Sequence, residues 1–304
     1  MDALTIKNQN AMPAPTWGWL KMNDVDIRVP QGLARDCQVA IEDAGELLDN
    51  QVSFEGALAA LQERLDEARA DATEDARASV RAARTEDVGA ADLDTPALSA
   101  YERRAVLSET AGDVAADFET GVGGDARAYL NMLAGGTAVL ATEAGEHQTA
   151  CVRVTAGAGT ASGASLDVVA AEDSAIDLVV SLDARDARAA ETAQAGLLGS
   201  TLRVFAGERS RVNVTVYLTA DSGFTAIDDS GYVLDADARV SVRHVVVGGG
   251  FTATGLAADL RGDGARIDID TSYLACGADV RDFNYTVRHR GRSTQCDIRA
   301  NGVL

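Results

Sequence analysis

A short phrase built around one arginine recurs in the second half of this chain. Its copies open alternating apolar and polar runs and are centred on Arg211, Arg239 and Arg266, at intervals of 28 and 27 residues. A fixed period of this length is typical of stacked, nearly identical structural units. Because apolar residues alternate with polar ones, each unit should contain a strand with one buried face. The pattern therefore predicts a β-solenoid.

The composition suits such a repetitive fold. Hydrophobic residues make up 46% of the chain but aromatic residues only 5%, so the core should consist mainly of aliphatic side chains. The formal net charge is −20. Nucleic acids and anionic membrane surfaces would repel a chain this acidic, so we expect neither among its partners.

The cysteines and the N-terminus indicate a reducing compartment. The four cysteines are scattered and form no CxxC pair, which argues against a disulfide framework. The first ten residues are polar and lack the apolar region of a secretory signal. No apolar run approaches the roughly 18–20 residues that a bilayer span needs. We therefore expect a soluble protein of the cytoplasm.

The sequence divides into two regions near residue 120. Residues 1–120 form a mixed and helical N-terminal region, in which apolar spacing predicts a helix over 54–84 and Thr95 with Pro96 predicts the start of another. From about residue 121 glycine becomes frequent and helical spacing disappears. Residues 121–304, which we assign to a mainly β, β-helix core domain, contain short β-rich runs separated by Gly, Asp and Ser. These predicted strands lie at 138–141, 150–155, 165–170, 175–182, 201–205, 212–218, 240–247, 267–274 and 280–287.

Motifs of conventional catalysis and nucleotide binding are absent from the sequence. It contains no GxGxxG leading into a helix, no GxxxxGK[ST] loop, no HExxH and no GxSxG. The three glycines at 248–250 lack the Lys and Ser/Thr of a phosphate-binding loop, and we interpret them as a tight turn between strands. We therefore expect no nucleotide bound by this chain.

Three residues near the end of the sequence carry side chains suited to metal or sulfur. His289 ends a predicted strand, Cys296 follows seven residues later, and Cys276 lies at a predicted turn. An imidazole and a thiol on neighbouring strand ends could jointly hold a soft metal or accept sulfur. The alternative is structural, with a turn histidine and a buried cysteine. His244, inside a predicted strand, is interpreted as a packed or surface side chain.

Residues 165–304 resemble the core of the SufB/SufD family, the scaffold components of the SUF iron–sulfur cluster assembly machinery. The resemblance rests on pieces that occur in order, at residues 165–169, 171–174, 260–265, 282–289, 291–294 and 301–304. Residues 15–23 resemble a segment near the start of SufD-like members. Because this segment and the short N-terminal region lean towards SufD, we expect a SufD-like protein.

The resemblance implies a right-handed parallel β-helix and a scaffold without enzymatic activity. It implies two partners, a SufC-type ATPase and a second SufB/SufD-type subunit, in a heterodimer or a homodimer. A transient iron–sulfur cluster would form at the subunit interface. Cys296, His289 and Cys276 are then the candidate iron or sulfur contacts.

Family members usually continue well beyond the strand at 301–304, so we expect the core domain to be incomplete at its C-terminus.

Two other functions stay open at this point. The first alternative is an acidic β-helix that binds carbohydrate or acts in adhesion, which calcium-dependent stabilisation would favour. The second is an interaction module that binds no iron, which the iron and sulfide content after anaerobic isolation would distinguish from the scaffold.

Overall fold

Parallel strands wind into a solenoid of about six turns, and each turn contributes one strand to each of two facing sheets. The computed structural model describes residues 4–11, 24–36, 38–42, 118–184 and 196–304. The described residues all belong to one unit, which contains residues 1–52 and 118–304. The helices predicted over 54–84 and from Thr95, and the SufD-like segment 15–23, lie outside the described residues.

The strands of the described residues fall into three sheets. A small antiparallel pair contains β1 (Thr5–Gln9) and β2 (Val25–Arg28). The other two are the facing sheets of the solenoid, here called sheet I and sheet II. Sheet II contains the odd-numbered strands β3 (Ala34–Arg35), β5 (Ala138–Ala141), β7 (Thr160–Ala170), β9 (Gly196–Ala206), β11 (Phe224–Leu234), β13 (Phe251–Leu260) and β15 (Val280–His289). Sheet I contains β4 (Gln38–Glu42), β6 (His147–Thr155), β8 (Ala175–Ala184), β10 (Arg211–Ala220), β12 (Arg239–Gly248), β14 (Arg266–Leu274) and β16 (Gln295–Val303).

The sequence repeat corresponds to the solenoid register. Arg211 pairs with Arg239, and Arg239 pairs with Arg266, in adjacent parallel strands of sheet I. The three copies of the phrase therefore lie directly above one another, which confirms the predicted β-solenoid. The strands β3 and β4, from the N-terminal part of the chain, extend the two sheets by pairing with β7 and β6.

Sheet I shows the alternation on which the prediction was based. In β10 the residues alternate between exposed or half-buried positions and buried ones, and the inward side chains include Val212 and Val214. These residues face the inward side chains of sheet II and form a core that consists largely of Ala, Val, Leu and Ile. Each half-buried strand thus turns one apolar face inward and one polar face to solvent.

Sheet II is covered on both faces along β7, β9, β11 and β13. Its outer face packs against β1, β2 and the helix α1 (Gly124–Ala134), whose buried Ala126, Leu130 and Leu133 recur at helical spacing. The helix ends at Gly135, whose φ of 74° is a left-handed conformation favoured by glycine. No helix in the described part of the chain has the length and apolar character needed to cross a lipid bilayer.

The turns that lead from sheet II to sheet I stack on one another. From the turn after β7 onward, each holds one residue with a positive φ, at Asp173 (55°), Arg209 (58°), Asp237 (53°), Gly264 (74°) and Ser293 (56°). In the first four turns the amide of that residue donates to a carbonyl of the next turn, at 2.8–2.9 Å. This backbone ladder fixes the position of the turn between β15 and β16. On the opposite side, the glycines at 248–250 form the predicted tight turn between β12 and β13.

Candidate functional site

Two of the sequence-predicted residues replace aliphatic side chains in the columns that face the core. In sheet II one such column runs through Ala206, Leu234, Leu260 and then His289. In sheet I another runs through Val212, Val240, Ile267 and then Cys296. His289 ends β15 and Cys296 is the second residue of β16, so both flank the turn at 290–294. The structure therefore brings these two residues to the same end of one coil.

His289 and Cys296 lie in different local environments. His289 is exposed, and its Nδ1 atom lies 2.8 Å from Thr294 Oγ1 in the adjoining turn. Cys296 is half-buried against the core. Burial raises the pKa of the Cys296 thiol, and the carboxylates of Asp268 and Asp297 raise that pKa further. Because the thiolate is the form that binds metals and attacks electrophiles, Cys296 needs a nearby positive charge to become reactive.

Cys276 lies at the other end of the same coil. It is exposed in the turn between β14 and β15, where its amide donates to Asp279 Oδ2 at 3.1 Å. The amide of the preceding residue, Ala275, donates to Val303 O at the end of β16. Cys296 lies near the start of β16, so a strand rise of about 3.3 Å per residue separates the two cysteines by roughly 25 Å.

The described residues therefore place His289 and Cys296 together and Cys276 apart from them. Within this part of the chain, no group of three or more His, Cys, Asp and Glu side chains is arranged to hold a metal ion.

The two cysteines should differ in their reactivity towards an alkylating reagent. Under native conditions at neutral pH we expect Cys276 to react several-fold faster than Cys296, because Cys276 is exposed and Cys296 combines partial burial with a raised pKa. Mass spectrometry of peptides after timed alkylation measures both rates. In denaturant the two rates should become similar, and faster native alkylation of Cys296 would contradict the described environment.

A second group of polar side chains lies inside the solenoid, among aliphatic neighbours. Asp228 of β11 and His244 of β12 face each other across the core, with 2% and 0% of their surfaces exposed. Asp228 Oδ2 lies 3.3 Å from His244 Nε2. On the other side of the imidazole, Tyr285 Oη lies 3.5 Å from His244 Nδ1 and 2.6 Å from Thr271 Oγ1. The rings of His244 and Tyr285 stack with their centroids 5.7 Å apart.

Burial dominates the electrostatics of this group. It raises the pKa of Asp228 to about 7, with a smaller contribution from the charge of Asp229. It lowers the pKa of His244 to about 4, and it raises the pKa values of Tyr232 and Tyr285 above their ordinary value. Each shift favours the uncharged form of its group, as expected where water is excluded.

Asp229 points to the opposite face of β11. Its carboxylate accepts hydrogen bonds from the Val122 amide at 2.8 Å and from Thr201 Oγ1 at 3.1 Å. Burial is the largest influence on Asp229 and raises its pKa to about 6, although these hydrogen bonds act in the other direction. The two adjacent aspartates therefore lie in different environments. Asp228 lies in the solenoid core, and Asp229 lies on the outer face of sheet II beneath the segment that contains Val122.

Sequence reasoning identified only part of this internal group. His244 is a packed histidine, one of the two alternatives that the sequence left open. Asp228 was missed because residues 224–234 were not assigned to a strand. The signal that could have revealed it is the Asp228-Asp229 pair between Ile227 and Tyr232, since polar residues in a buried strand need partners.

The comparison with family models is consistent with the solenoid. Residues 152–304 match the family described as SUF system FeS cluster assembly, SufBD core domain. The match covers half of the chain and extends from within β6 to the end of β16. The chain belongs to the SufBD core family. Comparisons with curated proteins and with solved structures gave no significant match.

The matched region of this SufBD core contains all the candidate residues. His289, Cys296 and Cys276 lie within it, as does the internal pair of Asp228 and His244. The predicted SufB/SufD family is therefore confirmed. The family also connects the chain to SUF iron–sulfur cluster assembly and to the protein complex that carries out this assembly.

Proposed function

We propose that this SufBD core is a SufD-like scaffold subunit of the SUF machinery, without enzymatic activity or bound nucleotide of its own. Its partners are a SufC-type ATPase and a second SufB/SufD-type subunit, in a heterodimer or a homodimer. It acts in the cytoplasm, and it binds neither nucleic acid nor membranes. A transient iron–sulfur cluster forms at the subunit interface as cargo.

The observation that carries this proposal is the family match across eleven consecutive strands, from β6 to β16. The physical character of these strands supports a scaffold. Their shared core consists largely of aliphatic side chains in continuous columns, which gives a rigid, closely packed body. Such a body can hold a surface in a fixed position for a partner without itself performing chemistry.

The turn at 290–294 is the part of the solenoid that we propose for contact with iron or sulfur. His289 and Cys296 flank this turn, on the outermost strands of the two sheets in the described residues. Imidazole and thiolate ligands suit iron–sulfur chemistry. Because two side chains cannot complete a cluster site, the remaining ligands would come from the second subunit. Cys276, at the far end of the coil, would contact a different part of the interface.

Anaerobic reconstitution tests the scaffold function. The chain is mixed with a SufC-type ATPase and a SufB/SufD-type subunit from the same organism, and the isolated complex is analysed for iron and sulfide after assembly. We expect a stable complex that carries both. A complex without iron and sulfide would identify the chain as an interaction module, and failure to form any complex would contradict the proposal.

The double variant Cys296→Ala/His289→Ala tests the proposed contact. We expect it to reduce cluster assembly by at least about tenfold, since the loss of groups that support a metal site commonly has effects of this size. Cluster formation is followed by visible absorption and by iron and sulfide analysis. Cys151→Ala is the matched control, because Cys151 is a half-buried cysteine on β6, far along the solenoid from this turn. Assembly at the parental rate by the double variant would remove these residues from the mechanism.

A further inference from the structure

Polar atoms without a well-aligned hydrogen bond collect around Asp228 and His244. Within the described residues, these atoms include Asp228 Oδ2, His244 Nε2, Thr254 Oγ1 and Tyr232 Oη, all inaccessible to solvent. An unpaired buried polar atom is costly, and a buried charge is far more costly unless several hydrogen bonds compensate it. The protonation state of this group is therefore set by how well each charge could be compensated.

The geometry favours a neutral pair over an ion pair. A buried carboxylate and imidazolium would need excellent alignment and further hydrogen bonds to their remaining atoms. Asp228 Oδ2 and His244 Nε2 are 3.3 Å apart and imperfectly aligned. A carboxylic acid facing a neutral imidazole needs only one hydrogen bond, which the Asp228 hydroxyl can donate to Nε2.

His244, Tyr285 and Thr271 can continue the hydrogen-bond chain that starts at the Asp228 hydroxyl. With Nε2 as acceptor, His244 carries its own proton on Nδ1, which faces Tyr285 Oη at 3.5 Å. Tyr285 in turn can donate to Thr271 Oγ1 at 2.6 Å. The four residues belong to β11, β12, β15 and β14, two strands from each sheet. The chain therefore crosses the core between sheets that otherwise meet largely through apolar contacts.

We propose that Asp228, His244, Tyr285 and Thr271 form a proton-holding clamp, in which one proton on Asp228 ties the two sheets together and its loss loosens the coils from β11 to β15. The Asp228 proton passes to solvent when the clamp opens and leaves a carboxylate among aliphatic side chains. A buried carboxylate without compensating hydrogen bonds is unfavourable, so water enters the core or β11 shifts until the charge is hydrated. Either change weakens the packing between the sheets. This device does not depend on the scaffold function.

The surroundings of the clamp contain few other titratable groups. Among the described residues, the titratable side chains that face Asp228 are those of His244 in β12, Tyr285 in β15 and Tyr232 in β11. The neighbouring Asp229 points to the opposite face. The positions paired with Asp228 and His244 in the adjacent strands hold uncharged side chains, namely Ser200, Val216, Thr254 and Thr271.

The direction of the pH effect follows from the two buried groups. The pKa of Asp228 rises from 3.8 to about 7 on folding, so the folded state holds a proton that the unfolded chain has released, and stability falls as pH rises through this window. The pKa of His244 falls from 6.5 to about 4, so stability rises with pH between these values. The two contributions offset each other up to about pH 6.5, and the loss from Asp228 is fully expressed only above about pH 7.

Asp229 acts in the same direction as Asp228 but at lower pH. Its pKa rises to about 6, so its contribution also falls as pH rises towards that value. A comparison of the full chain with its Asp228→Asn variant cancels this shared contribution. Asparagine has the shape of the protonated aspartate, cannot ionise, and can still donate a hydrogen bond to His244 Nε2.

Denaturant unfolding at two pH values tests the clamp. We expect the advantage of Asp228→Asn over the full-length chain, measured as the denaturant concentration at half-unfolding, to be clearly larger at about pH 8 than at about pH 5. At about pH 5 the Asp228 contribution is only partly lost, whereas at about pH 8 its loss is complete. A difference that does not change with pH would overturn the proposal. So would greater stability of the unaltered chain at pH 8, because a charged ion pair would produce that result.

A second measurement decides the matter if Asp228→Asn does not fold. The ¹³C signal of the Asp228 carboxyl group in the unaltered chain reports its ionisation directly. We expect a protonated carboxyl at about pH 6 that loses its proton with a midpoint near 7. A carboxyl that stays ionised throughout the range in which the chain is folded would overturn the proposal, whatever the behaviour of the variant.

Discussion

Replacement of Arg203 by alanine should lower the free energy of unfolding by about 3–5 kcal/mol. Arg203 donates from Nε and Nη2 to the two carboxylate oxygens of Asp167 at 2.6 and 2.5 Å. These side chains are 12% and 4% exposed, and the guanidinium also lies 6.0 Å from the centre of the Phe118 ring. Alanine would take this counter-ion away from a buried carboxylate, and the resulting cost is much larger than that of losing an exposed ion pair.

Arg266→Ala provides the comparison for Arg203. Arg266 donates to Asp268 through two nitrogens at 2.8 and 2.9 Å, but its side chain is 44% exposed. Exposed ion pairs contribute little because water and salt screen them, so this variant should unfold almost like the unaltered chain. Urea unfolding followed by circular dichroism measures both variants. Equal losses of stability would show that the Arg203–Asp167 pair is not buried as described.

Gly262→Ala should destabilise the solenoid by at least about 2 kcal/mol, because overpacking a close contact usually costs 1–3 kcal/mol and this contact involves backbone. A Cβ atom at residue 262 would lie 1.9 Å from the Ala236 amide nitrogen and 2.1 Å from the Asp235 carbonyl carbon in the stacked turn below. Because those atoms belong to the backbone ladder of the turns, a side-chain rotation cannot relieve the overlap. The whole stack would have to open at this point.

Gly136→Ala is the control for this glycine. A Cβ atom at residue 136 would meet no atom within 4 Å, so the substitution should be neutral or slightly stabilising through the unfolded chain. Thermal and urea unfolding of the two variants separate the steric effect from the general effect of replacing glycine. Similar stability of both variants would contradict the close stacking of the turns.

The predictable part of the fold lies in sheet I. Its strands expose one face, so their sequences alternate, and the nearly equal spacing of Arg211, Arg239 and Arg266 follows from their direct pairing. The earlier coils were harder to recognise as repeats. Ala175 pairs with Arg211, an interval of 36 residues that includes residues 185–195, so the sequence period is interrupted there.

Sheet II was less predictable because its strands β7, β9, β11 and β13 are buried on both faces. Residues 224–234 and 251–260 form β11 and β13, yet neither was assigned to a strand. Their outer faces lie beneath other parts of the chain, so the alternation of polar and apolar residues disappears. Gly, Asp and Ser within these strands are also typical of turns. They are accommodated because Gly231 and Gly255 permit close backbone approach and Asp229 binds the Val122 amide.

The candidate site was partly predictable for a similar reason. His289 and Cys296 are close in sequence, and the intervening turn keeps them together in the structure. Cys276 could not be placed relative to them, because its distance depends on the length of β15 and on which side of the coil each turn lies. Asp228 and His244 meet only because the solenoid register sets β11 opposite β12, and sequence spacing alone contains no such information.

Anaerobic co-isolation tests most directly whether the chain is a scaffold subunit of the SUF machinery. The tagged chain is recovered from an extract of its native cells, and mass spectrometry identifies the proteins that accompany it. We expect recovery of a SufC-type ATPase together with a second SufB/SufD-type subunit, both at levels well above an untagged control. Recovery of neither protein would contradict the proposed scaffold role and would mean that this SufBD core serves another function.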